Sequence, residues 1–144
     1  MEWAATVDLV DSFGAVSVNR LYITRKQDGR KALSKVGRAF QRTVINALIQ
    51  EWGLLLEPDP DKEYRLILHF YFPAVFSKGW PKKAKSRFRK IDQTNFVKFF
   101  QDCVATASGV DDANHTLVLT TKREDPEHPR VEIHLEEWEW PISM

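Results

Sequence analysis

Residues 64–72 restrict the fold of this chain more than any other stretch. Tyr64, Leu66, Leu68, Phe70 and Phe72 alternate with Arg65, Ile67, His69 and Tyr71. Strand side chains point to opposite faces with a period of two, so one face here is wholly apolar and the other is half apolar. An interior strand, fairly apolar on both faces, is the expected result.

Two amphipathic stretches can cover such a strand. Val36, Phe40, Val44, Ile45, Leu48 and Trp52 fall at helical spacing, with Ser34 suited to cap the start and Gly53 to end the run. Phe96, Phe99, Phe100, Cys103, Val104 and Ala107 sit at i, i+3, i+4, i+7, i+8 and i+11, and Gly109 follows. Cys103 lies on that stripe and is expected in the core. Further strands are expected where Trp3, Ala5, Val7 and Leu9 alternate, and across 115–121 and 130–135. Val16, Val18 and the run 21–23 suggest another extended stretch. Turns are expected at 27–30 and 125–129. The order β-β-α-β-α-β-β predicts an α/β (α+β) domain, a mixed sheet of about four to five strands packed by two main helices.

Composition narrows the class. A chain of 144 residues with 43% hydrophobic content can bury a core of its own, and disorder is not expected. Apolar runs stay short of the roughly 18 residues that cross a bilayer. Residues 1–10 lack the basic start of a secretory signal, and the single cysteine excludes an intrachain disulfide. A soluble, cytoplasmic protein is expected.

The net charge of +1 hides a segregation. Residues 78–90 read KGWPKKAKSRFRK, with seven basic residues and no acidic one, and eight more lie in 20–42. Residues 124–139 are rich in Glu. A positive face of this kind suits a phosphate backbone. Lys78, Lys82, Lys83, Lys85, Arg87, Arg89, Lys90 and Trp80 are the expected nucleic-acid contacts. Trp80 and Phe88 either stack on exposed bases or anchor the loop on the domain. The four histidines lack zinc-like spacing, and Trp138 and Trp140 form a candidate interface patch.

The second expected helix carries the chemistry. Asp92 stands at its start, while Asn95, Lys98 and Asp102 lie off the apolar stripe. Asp111-Asp112 follows the terminating glycine. Clustered carboxylates suit a hard divalent ion such as Mg²⁺ or Mn²⁺, which can activate water for phosphodiester hydrolysis. The same residues also serve as a helix cap, an i,i+4 pair and a turn. Spacing alone does not choose between these.

Residues 90–115, KIDQTNFVKFFQDCVATASGVDDANH, resemble the signature of RusA-type Holliday junction resolvases. That pattern runs as an aspartate, one residue, a second aspartate and Asn, then Lys, Asp-Ala, Gly and Asp-Asp-x-Gln. Asp92, Asn95, Lys98, Asp102, Gly109 and Asp111-Asp112 match in order. Ser17-Val18-Asn19 followed by Tyr22, and Leu33-Ser34-Lys35 ahead of a basic helix, are similar to earlier parts of the family. The resemblance covers about residues 15 to 135. It implies one RusA-like domain over 1–144, a homodimer, Mg²⁺ or Mn²⁺ as cofactor, and paired nicks in branched DNA. It also implies a role in recombination and repair in a bacterial or phage-infected cell. Asp92, Asp111 and Asp112 would be metal ligands and Lys98 the catalytic lysine, with Asn95, Asp102 and Asn19 in support. The sequence departs from the pattern at Thr94, where the family has its second aspartate, and at Asn114, where it has Gln. Thr94 can ligate a metal through its hydroxyl but brings no charge. The expectation therefore divides between a metal-dependent junction endonuclease and a relative that binds structured nucleic acid without cutting. A protein-interaction domain is the third reading, and binding that ignores salt would be its mark.

Overall fold

The computed structural model describes residues 2–11, 14–15, 21–53, 58–88 and 93–140, with backbone alone at 10–11, 14–15 and 93–95. Its elements are β1 (Glu2–Asp8), β2 (Val10–Asp11), β3 (Gly14–Ala15), β4 (Tyr22–Thr24), β5 (Lys31–Leu33), α1 (Lys35–Trp52), β6 (Glu63–Phe72), α2 (Gln93–Ser108), a 3₁₀ turn (Asp112–Asn114), β7 (His115–Glu124) and β8 (Arg130–Trp138). The main sheet has the order β1-β8-β6-β7. β6 runs parallel to β7 and antiparallel to β8, and β1 closes the far edge antiparallel to β8. A parallel pair needs a long crossover, and α2 lies within it. This is the mixed α/β architecture that the sequence predicts. Among the described residues, no helix is long and apolar enough to cross a membrane.

Local chemistry sets the ends of α1. The Ser34 hydroxyl accepts the Gly37 N–H at 2.9 Å, which satisfies one of the free donors of the first turn. Gly53, at φ 70°, donates its N–H to Ile49 O and stops the helix. The turn expected at 27–30 joins β4 to β5. Arg25 N–H donates to Arg30 O at 2.8 Å, and the Asp28 carboxylate accepts the Arg30 N–H at 3.0 Å. Of the extended stretch expected around 16–23, residues 16–20 lie outside the described residues, and β4 begins at Tyr22.

β6 is interior, as its alternation predicts. Tyr64, Leu66, Leu68, Phe70 and Phe72 are buried with the apolar stripes of both helices. Phe70 meets Phe96 and Phe100 at ring separations of 5.8 Å, and Phe40 of α1 stacks on Phe99 of α2 at 5.3 Å. Cys103 is buried in this core, where burial pushes its thiol up to about 12. The other face of β6 is finished differently. Arg65 pairs with Glu136, His69 Nδ1 meets Thr121 Oγ1 at 2.6 Å, and Arg130 lies 3.8 Å over the Tyr71 ring. Polar cross-strand partners cover that half-apolar face.

One glycine locks the chain entering β4 onto α1. A Cβ at Gly37 would overlap the Leu21 carbonyl oxygen and lie 3.0 Å from the carbonyl carbon. Leu21 is fully buried, and its carbonyl already accepts the Ser34 N–H at 2.8 Å, so it cannot swing aside cheaply. Helix propensity alone favours alanine by about 1 kcal/mol. Overpacking against fixed backbone costs about 1–3 kcal/mol, so the clash wins. Gly37→Ala is expected to lower the urea-unfolding midpoint. A midpoint at or above that of the unaltered chain would contradict this packing.

Candidate active site

Burial of the α2 stripe orients the rest of that helix. With Phe96, Phe99, Phe100, Cys103, Val104 and Ala107 turned into the core, Lys98 and Asp102 face outward. Gly109, at φ 77°, ends the helix with its N–H on Ala105 O at 2.9 Å, and Val110 is buried. The chain then reverses into the 3₁₀ turn and brings Asp111-Asp112 back beside α2. Burial lifts the Asp102 carboxyl above its ordinary value, the Lys98 ammonium pulls it down, and the Asp112 carboxylate raises it again. Carboxylate oxygens are hard donors of the kind that fit Mg²⁺ or Mn²⁺.

The two adjacent aspartates have different roles in the turn. Asp111 caps it, accepting the Ala113 N–H at 2.9 Å. That bond, then a bond with the Asp112 carboxyl, holds Asp111 below the usual carboxylate range. Asp112 is exposed and acts on Asp102 and His115. Asn114 donates through Nδ2 to Pro60 O at 2.9 Å and Lys62 O at 3.0 Å, tying the turn to the loop before β6. Asn114, at the position where the resemblance expects Gln, is thus a structural clamp.

Asp92, Asn19, Arg89 and Lys90 lie outside the described residues, as do the side chains of Thr94 and Asn95. Among the described residues, no group of three or more His, Cys, Asp or Glu is arranged to hold a metal ion. Three neighbours of the acids went unmarked as site residues in the sequence. Tyr22 lies with its ring centroid 5.8 Å from Lys98 Nζ. Gln101 Nε2 meets His115 Nδ1 at 3.2 Å, and His115 Nε2 is buried without a partner among the described residues. Burial lowers the affinity of His115 for a proton, opposed by Asp112 and Asp111. The family resemblance includes Tyr22, but no spacing in the sequence links it to Lys98.

The basic segment is a structured protrusion. Phe76 and Phe88 face each other at its neck in an antiparallel bridge, with ring centroids 5.4 Å apart. Ser77 N–H donates to Arg87 O at 2.8 Å, and the Arg87 guanidinium lies 5.3 Å from the Phe76 ring and 5.6 Å from that of Phe88. Lys78, Lys82, Lys83, Lys85 and Arg87 are exposed. Trp80 is 49% and Phe88 47% exposed, so neither is buried against the domain, and Phe88 packs on Phe76 at the neck.

A family model for endodeoxyribonuclease RusA matches residues 14–136. The chain belongs to the RusA endodeoxyribonuclease family. The match takes in both helices, the acidic turn, the basic protrusion and three of the four main-sheet strands. The edge strand β1 and the short β2 lie before it. The RusA resemblance carried by Asp92, Asn95, Lys98, Asp102, Gly109 and Asp111-Asp112 is therefore borne out as family membership. No individual curated protein matches the sequence.

Proposed function

We propose that this RusA-family chain is a divalent-metal-dependent endonuclease that acts as a homodimer and resolves four-way DNA junctions by paired nicks. The observation that carries this reading is the RusA family match over residues 14–136, which takes in the acidic turn packed against α2 and the outward-facing Lys98. Asp92, directly before α2 in sequence, would hold Mg²⁺ or Mn²⁺ together with Asp112 and Asp111. Asp112 is the better placed of that pair, because the Ala113 N–H already engages Asp111. Such an ion supplies an activated water and neutralises charge on the scissile phosphate. Lys98 presents its ammonium on the exposed side of α2, where it can meet the charge that builds on the phosphate oxygens. Asp102 keeps a negative neighbour one helical turn from that lysine.

The protrusion between Phe76 and Phe88 follows the DNA backbone with Lys78, Lys82, Lys83, Lys85 and Arg87, and Arg89 and Lys90 continue it in sequence. The exposed face of Trp80 can stack on an unpaired base near the branch point. Each phosphate contact contributes about 0.9 to the slope of log affinity against log salt. Lys82→Gln, Lys83→Gln and Lys85→Gln together are expected to flatten that slope by about 2 to 3. A slope unchanged by the triple variant would remove the protrusion from the DNA interface.

A second reading, a relative that binds junctions without cutting them, rests on Thr94. Nick mapping on a four-way junction in Mg²⁺ or Mn²⁺ decides between the two. Symmetric nicks support the nuclease, and tight binding without nicks overturns it.

A further inference from the structure

We propose that Tyr22 is a positioning residue, whose ring face holds the Lys98 ammonium beside the acidic turn. The inference rests on the reading of Lys98 as the lysine that meets the phosphate. Lys98 Nζ lies 5.8 Å from the Tyr22 ring centroid, within the range of a cation–π contact. A lysine is a point charge on a flexible four-carbon stem and has no planar fork to define its own direction. Its aim must come from its surroundings. Here the ring lies against it, and the Asp102 carboxylate, one helical turn along, attracts it.

The ring is itself held firmly. Tyr22 follows the fully buried Leu21, whose carbonyl is hydrogen-bonded to Ser34 and pressed against Gly37 of α1. Tyr22 therefore links a fixed position on α1 to the lysine side chain on α2. Its hydroxyl holds its proton tightly. Burial first, then the charge of Asp102 and then Cys103, pushes it up to about 12. The phenol stays protonated at neutral pH, so the proposed role belongs to the ring and not to an ionised oxygen.

Two measurements test this on the intact chain. By NMR, the Lys98 ε-methylene protons should be shifted upfield by the ring current in the unaltered protein. Y22F should keep the shift and Y22L should lose it. In junction cleavage with Mg²⁺, Y22L should lower kcat about tenfold at a similar KM, within the loss that an ångström-scale misplacement causes. Y22F should recover most of that loss. In a K98A background, Y22L should remove nothing further from the residual rate. Random-coil Lys98 shifts in the unaltered protein would overturn the proposal. So would Y22F falling as far as Y22L, or Y22L lowering the K98A rate by the same factor, which would make Tyr22 merely structural. If K98A cleaves normally while the ring-current shift is intact, the catalytic reading of Lys98 is what has failed, and the role of Tyr22 falls with it.

Discussion

Asp112→Asn is expected to lower junction cleavage by about a thousandfold while leaving junction binding in place. Asparagine keeps the size of the side chain and one oxygen donor, but it removes the charge that suits a hard cation. The neighbouring Asp111→Asn should act more weakly on cleavage, because its carboxylate is already engaged by the Ala113 N–H. Its turn should persist, because an asparagine Oδ1 can still accept the Ala113 N–H and Asn114 still ties the turn to the loop before β6. Single-turnover cleavage in Mg²⁺, set beside gel-shift affinity in Ca²⁺, separates the two variants. Equal losses would mean that the turn works as one unit. Full activity in Asp112→Asn would place the metal elsewhere.

The contrast between these two aspartates was illegible in the sequence, since adjacent identical residues carry no mark of which one caps a turn. The bond from Ala113 distinguishes them, and it depends on the backbone angles of the turn. The same division runs through the fold. The ends of α1 could be read because Ser34 and Gly53 act on groups within one turn of themselves. The interior place of β6 could be read because alternation is a local record of burial. How its second face is finished could not. Arg65 meets Glu136 and Tyr71 meets Arg130, partners roughly sixty to seventy residues away that no local period records. Lys98 and Asp102 were legible as outward residues once the apolar stripe was recognised. Tyr22 beneath Lys98 was not, because that contact depends on how Leu21 packs on Gly37.

The basic segment shows the same limit. Its charge was plain, and so was the interleaving of Trp80 and Phe88. Whether those rings faced bases or the domain turned on Phe76, which lies before the charged run and closes the neck against Phe88. With the neck closed by this pair, Trp80 is left at the exposed end among lysines. An exposed ring ringed by cations is an arrangement suited to an unpaired base beside a phosphate. DNA binding is thus supported by two independent features, the charge and the aromatic exposure, while the proposed cleavage would rest on a carboxylate set in which the resemblance expects an aspartate at the position of Thr94.

Thr94→Asp is therefore the second large effect, a gain of about a hundredfold in Mg²⁺-dependent cleavage. Position 94 falls in the first turn of α2, which starts at Gln93. A carboxylate there meets the positive end of the helix dipole, so the helix itself should accept it. The opposing effect is repulsion. A further negative charge on the helix that carries Asp102, whose ionisation Asp112 already disfavours, should destabilise the metal-free protein. Bound Mg²⁺ removes that repulsion, so the variant should gain more thermal stability from Mg²⁺ than the unaltered chain does. Two readouts must therefore move together: faster nicking at a lower Mg²⁺ concentration, and a larger Mg²⁺-induced rise in Tm. If the Tm responds and nicking stays absent in both proteins, the site binds metal but does not hydrolyse DNA, and the junction-binding relative is the correct reading. If neither responds, position 94 does not face the ion, and the missing aspartate is not what limits this protein.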